Sequence, residues 1–136
     1  MRLSTLNEDL ARRFRQAPDE NAARGIFEEI FRTCASRIDS RSYALLENDK
    51  LALALTPNEL PRGFKFAALS SEMDERYLDA EEQGRDEDSS AYFVLARLMS
   101  ALSFAATASD PTGFSEAAYE AIMALPNPKE DSATLL

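Results

Sequence analysis

The sequence predicts an all-α protein whose helices pack around one buried central helix. Residues 91–108 form the longest nearly uncharged run, with 14 apolar residues among 18 and Arg97 as the only charge. A helix that is apolar almost all round is expected in a protein core or in a membrane. Elsewhere, apolar residues recur at intervals of three and four, which is the helical period. We therefore expect a single domain of five or six helices over residues 1–126, with the central helix at about 89–108 and a mobile tail at 127–136.

Length and composition are those of a globular protein of one domain. The 136 residues suffice to bury a core without metal or disulfides, and 45% of them are hydrophobic. The 24 acidic and 15 basic residues give a net charge of −9, which disfavours nucleic acid as a partner and favours basic proteins. Cys34 is the single cysteine and the N-terminus has no signal-peptide pattern, so we expect a cytoplasmic protein. A membrane span at 91–108 is disfavoured, because spans need about 20 apolar residues and this run contains Arg97.

Two helices are predicted in the first 38 residues. Ser4 or Thr5 caps the first, which runs to about Gln16. The second starts at Pro18, a favoured residue in the first helical turn, and runs to about Ile38. The apolar stripes of the two helices contain Leu3, Leu6, Leu10 and Phe14, then Ile26, Phe27, Ile30, Phe31, Cys34 and Ile38. Because Cys34 lies in an apolar stripe and the chain has no histidine to activate it, we expect a core residue rather than a nucleophile.

The next segment begins at Asp39 or Ser40 and is predicted to be helical. Residues 51–55 alternate as LALAL, which allows a short strand, but alanine and leucine favour a helix. Thr56 and Glu59 form a capping box around Pro57, and the breakers that follow predict a single turn and then a loop.

Three further helices are predicted, the first from about Phe64 to Gln83. Gly84 ends it, and Asp88, Ser89 or Ser90 caps the central helix. The last helix, at about 114–125, follows the breakers at 110–113. The apolar stripe of the helix at 64–83 contains Phe66, Leu69, Met73, Tyr77 and Ala80.

The negative charge is concentrated in residues 72–88, which contain nine acidic and two basic residues for a net charge of −7. Glu72, Glu75, Asp79 and Glu82 form one row on a helix, opposite the apolar stripe, and Asp86 extends it if the helix continues. Three interpretations compete. The row solvates an outer face, it docks a basic partner, or it holds magnesium or calcium, which requires acids that face inward.

Several kinds of catalytic site are missing from the sequence. Without histidine there is no zinc motif of the HExxH type, no Ser-His-Asp triad and no Cys-His pair. The four glycines form no phosphate-binding or dinucleotide-binding loop, and no EF-hand loop is present. We therefore assign no catalytic residue, metal ligand or cofactor.

In size, acidity and lack of catalytic groups, the chain is similar to the small helical immunity and antitoxin proteins of bacteria. That resemblance implies a non-enzymatic protein that binds and blocks a basic protein partner. The residues predicted to contact such a partner are Glu72, Glu75, Arg76, Tyr77, Asp79, Glu82 and Asp86. One alternative is a carboxylate-metal enzyme of the helical-bundle type that uses magnesium or manganese. The other is an adaptor or homo-oligomer in which Arg12, Arg13 and Arg15 meet the acidic region of another subunit.

Overall fold

The computed structural model describes residues 1–48 and 65–136, and this part of the chain is all-α, as predicted. Eight α-helices and a terminal 3-10 turn account for its regular structure. The eight helices are α1 (Leu3–Leu6), α2 (Glu8–Arg15), α3 (Glu20–Ser36), α4 (Ser40–Asn48), α5 (Phe66–Glu82), α6 (Asp86–Thr107), α7 (Pro111–Ile122) and α8 (Pro128–Asp131). The predicted LALAL helix and the capping box at Thr56 lie outside the described residues.

The predicted first helix is divided into α1 and α2 at Asn7. The backbone of Asn7 is extended (φ −157°, ψ 107°), and its side chain accepts a hydrogen bond of 3.1 Å from the Leu10 amide. Asn7 is therefore the N-cap of α2, a position that asparagine favours. Ser4 and Thr5 do not cap a helix, because their hydroxyls donate to the carbonyls of Met1 and Arg2.

The core is formed mainly by α3, α6 and α7. Phe27 of α3 contacts Phe31 and Phe114, with ring centroids 5.8 and 6.4 Å apart. The predicted apolar stripe of α3 is confirmed, because Phe27, Ile30 and Phe31 are all buried. Cys34 is buried among them, as predicted, and this burial raises the pKa of its thiol to about 12.

Helix α6 is central, but it differs from the prediction in two ways. It begins at Asp86 rather than at a cap between Asp88 and Ser90, and it is not buried all round. Its buried face includes Ala91, Ala96, Ala101 and Ala105, whose small side chains allow close packing, together with Leu95, Leu98, Met99 and Leu102. On its opposite face Phe93 and Phe104 are 39% and 41% exposed.

Helix α6 is also long and apolar enough to span a membrane by length and composition. Its most apolar 18-residue window has a mean hydropathy of 1.3, and 44% of that window is buried. Core helices of soluble proteins meet the same criterion, so the finding is weak evidence for a span.

The C-terminal region differs from the sequence-based expectation at two points. Helix α7 begins at Pro111 rather than near Phe114, because the Asp110 carboxylate accepts a hydrogen bond of 2.7 Å from the Gly113 amide and caps it. The segment expected to be a mobile tail is folded, with α8 and a 3-10 turn over Ser132–Thr134. Leu135 is buried in the core and the Arg37 guanidinium donates to the Thr134 hydroxyl at 2.7 Å.

Candidate functional site

The acidic residues of 72–88 lie on both sides of the turn that joins α5 to α6. Gly84 adopts a left-handed conformation with φ of +70°, which glycine accepts without steric cost. The Arg85 amide donates to the Ala80 carbonyl at 2.9 Å, and the Gly84 amide donates to the Glu81 carbonyl at 3.1 Å. This Schellman arrangement ends α5 as predicted and lets α6 start two residues after Gly84.

The predicted acidic row lies on the outer face of α5. Its four acids, Glu72, Glu75, Asp79 and Glu82, are exposed. Met73 and Ala80 on the opposite face are fully buried, so the orientation predicted from the helical period is confirmed.

Seven acidic side chains near this turn are exposed and form no ion pair within the described part of the chain, and one of them, Glu81, is hydrogen-bonded to Tyr77. We call the other six the acidic surface: Asp74, Glu75, Asp79, Glu82, Asp86 and Glu87. Of the other acids in 72–88, Glu72 pairs with Arg76 at 2.6 Å, and Asp88 pairs with both Arg85 and Arg41.

Asp86 and its neighbours also have a local structural role. Asp86, Glu87 and Asp88 form the first turn of α6, where carboxylates interact favourably with the positive end of the helix dipole. The Arg41 Nε donates to the Asp88 carboxylate at 2.6 Å, which ties the start of α6 to α4. Part of the negative charge at this end of α6 is therefore accounted for by helix stability alone.

Arg76 and Tyr77, the two other predicted contact residues, lie at the junction of α5 and α6 rather than on the outer face. The Arg76 guanidinium lies 5.9 Å from the centre of the Tyr92 ring. The Tyr77 ring packs against Phe93, with centroids 6.0 Å apart. A hydrogen bond to Glu81, followed by the negative charge of that carboxylate, raises the pKa of Tyr77.

Leu78 was missed by the sequence-based prediction. Its side chain is 56% exposed, the highest value among the large hydrophobic residues of the described ranges. At 100° per residue it projects between Asp74 and Glu82, so two members of the acidic surface flank an apolar side chain. The signal was available in the sequence, because Leu78 falls outside the stripe that contains Met73 and Tyr77.

On the other side of Phe93, a charged network joins α6 to α7 and to the N-terminal residues. The Arg97 Nη1 donates to the Glu120 carboxylate at 2.7 Å, and its guanidinium lies 5.3 Å from the centre of the Phe93 ring. Arg2 Nη2 lies 3.5 Å from the other oxygen of Glu120, and Arg2 Nε donates to Glu116 at 2.6 Å. That hydrogen bond is the main reason why the pKa of Arg2 is raised. The network fixes the guanidinium of Arg97.

Two observations concern the alternative functions, the carboxylate-metal enzyme and the homo-oligomer. Within residues 1–48 and 65–136, no group of three acidic or cysteine side chains comes together in a way that could hold a metal ion. Of the arginines at the end of α2, Arg12 pairs with Asp9 at 3.2 Å and Arg15 pairs with Glu8 at 2.7 Å. These two arginines are thus partly neutralised within their own helix.

Comparisons with models of protein families, with curated proteins and with solved structures find no match for this chain.

Proposed function

We propose that this protein is a non-enzymatic binding protein that docks a basic protein partner on its acidic surface. The observation that carries the proposal is the environment of Leu78. A strongly exposed leucine lies among exposed carboxylates that form no ion pair within the described part of the chain. Protein interfaces commonly combine an apolar centre with a polar or charged rim.

The competing interpretation is that the acids only keep the outer face of α5 solvated. Solubility alone is served by a mixture of both charges, whereas like charges three and four residues apart destabilise a helix by tenths of a kcal/mol each. A concentration of one sign speeds the approach of an oppositely charged partner and selects against acidic ones. The residues proposed to make these contacts are the acidic surface with Leu78, together with Glu72, Arg76 and Tyr77 at its edges.

The test is a capture experiment with charge-reversed baits. The wild-type protein and the variant Glu75→Lys/Asp79→Lys are immobilised and exposed to lysate of the source cells at low ionic strength. We expect a basic protein that the wild type retains, that salt elutes, and that the variant fails to retain.

A matched control separates the acidic surface from net charge. The variant Glu29→Lys/Glu130→Lys changes the net charge by the same amount at exposed positions outside 72–88. It should retain the partner as well as the wild type does. Equal retention by both variants, or equal loss in both, would contradict docking on the acidic surface.

The proposal includes a compartment and a class of protein. A lone buried thiol suits a reducing environment, so we place the protein in the cytoplasm. The similarity to bacterial immunity and antitoxin proteins makes a toxin or nuclease the first kind of partner to seek among the captured proteins. Binding of such a partner should weaken as salt screens the exposed charges.

A further inference from the structure

A small cleft lies beside the acidic surface, between α5 and α6. Its volume is about 220 Å³, and it is lined by Ser70, Asp74, Phe93, Ala96, Arg97 and Ser100. The Ser70 hydroxyl donates to the Ala96 carbonyl at 3.2 Å, which joins α5 to α6 within the lining. Pockets for drug-sized molecules have about 300–1,000 Å³, so this cleft suits a single amino-acid side chain.

The two charged side chains described in the lining of the cleft differ in whether an ion pair already compensates their charge. Among the described lining residues the cation is Arg97, and its guanidinium is already paired with Glu120 at 2.7 Å. Asp74 is the carboxylate among the described lining residues, and it forms no ion pair within the described ranges. The uncompensated charge of the cleft is therefore that of Asp74, and it favours a cationic occupant.

The remaining walls suit the two ends of a long basic side chain. Phe93 is 39% exposed and is held by its contact with Tyr77, so it offers a fixed apolar wall to an aliphatic stem. The hydroxyl oxygens of Ser70 and Ser100 and the carboxylate of Asp74 are acceptors for the N–H groups of an ammonium or guanidinium.

We propose that this cleft receives a lysine or arginine side chain of the basic partner, anchoring it beside the acidic surface. This inference rests on the proposed function and names the part of the partner that enters the structure. Long-range attraction comes from the exposed acids, whereas the cleft selects a side chain with an apolar stem and a cationic end.

The experiment uses two small probes, N-acetyl-lysine methylamide and N-acetyl-arginine methylamide, with the neutral N-acetyl-glutamine methylamide as reference. Each is titrated into the ¹⁵N-labelled full chain, and amide chemical shifts are followed. We expect saturable shifts at Ser70, Asp74, Ala96 and Ser100 with at least one basic probe, and none with the neutral one. Affinity should be about millimolar, because so few atoms make contact.

Two variants and one control locate the binding. Asp74→Asn should lower the affinity for the basic probe by at least about fivefold, because a charge-assisted hydrogen bond is lost. Ser100→Leu should abolish binding by filling the cleft without changing the charge. Glu29→Gln removes one exposed negative charge from α3, outside the acidic surface, and should leave the affinity within about twofold.

The outcomes for the cleft and for the proposed function are distinguishable. The cleft proposal is overturned by unsaturable shifts, by an equal response to the neutral probe, or by equal weakening in Asp74→Asn and Glu29→Gln. If those results accompany a captured partner that still depends on Glu75 and Asp79, the proposed function stands. The converse result is that the cleft binds the probes but the Glu75→Lys/Asp79→Lys variant retains the captured partner as well as the wild type does. That result overturns docking on the acidic surface instead.

Discussion

Replacing the two members of the Arg97–Glu120 ion pair separately should have unequal effects on stability. The side chain of Glu120 is 8% exposed, whereas that of Arg97 is 34% exposed. Removing Arg97 therefore leaves a buried carboxylate without its nearest cation, while removing Glu120 leaves a guanidinium that water still reaches. Methionine is a suitable replacement at both positions, because it keeps most of the volume and the aliphatic stem.

The expected magnitudes follow from these burial values. Removing one partner of a fully buried ion pair lowers the free energy of unfolding by about 3–5 kcal/mol. Arg2, at 3.5 Å from Glu120, partly compensates the carboxylate that remains. Arg97→Met should therefore lower the free energy of unfolding by about 2–3 kcal/mol. Glu120→Met should cost about 1–2 kcal/mol, since the guanidinium it leaves is partly solvated. The free energy of unfolding of the double variant should be within about 1 kcal/mol of the wild-type value, because an apolar pair of similar volume can replace a buried ion pair.

Urea unfolding followed by circular dichroism at 222 nm gives the four free energies of a double-mutant cycle. The Glu8–Arg15 pair is the control, because its 2.7 Å contact is as short but both side chains are about half exposed. Its coupling energy should stay below about 1 kcal/mol and vanish in 1 M salt, whereas that of Arg97–Glu120 should persist. Equal costs for the two single variants, or a coupling no larger than that of the control, would refute the reasoning.

Three further predictions concern stability and use the same unfolding assay. The raised pKa of Cys34 keeps the native thiol protonated up to about pH 12, whereas the unfolded thiol ionises near pH 9. Its contribution to stability is therefore present below pH 9 and lost as the pH rises, and the loss reaches about 3 kcal/mol at pH 11. The free energy of unfolding of Cys34→Ala should fall less than that of the wild type over this alkaline range. Gly84→Ala should destabilise by about 1 kcal/mol because of its positive φ, whereas Gly25→Ala, in the middle of α3 with open space around the added Cβ, should stabilise by about 0.5–1 kcal/mol. The same sign for both glycines would be incompatible with these backbone conformations. Asp110→Ala removes the N-cap of α7 and should lower the free energy of unfolding by about 1 kcal/mol, and an unchanged urea midpoint would contradict that capping role.

Those features of the fold that depend on one helix and its own residues were predictable from the sequence. The apolar stripe of α5, the stripe of α3 and the stop at Gly84 each follow from the helical period or from a local backbone preference. The break at Asn7 was missed because serine, threonine and asparagine compete as caps, and tertiary packing decides among them. The folded C-terminus was missed for a related reason, since Leu135 gains its burial from distant helices.

The exposed face of α6 shows why composition misled where spacing would have helped. A run with only one charge predicts burial on all sides, yet Arg97, Ser100 and Thr107 recur at three- and seven-residue intervals and mark a single polar face. Phe93 and Phe104 fall on that same face, which is why two large aromatic residues of the run are exposed.

The same distinction between composition and position governs the candidate site. Charge counting located the acidic segment, because net charge is a property of sequence alone. It could not assign Asp74 to the cleft, bring Arg97 to Glu120, or turn Tyr77 toward Phe93, since each placement depends on how α5, α6 and α7 pack together. An interface hypothesis built on charge therefore specifies the sign of a partner, whereas the packing of α5 against α6 specifies where one of its side chains would enter.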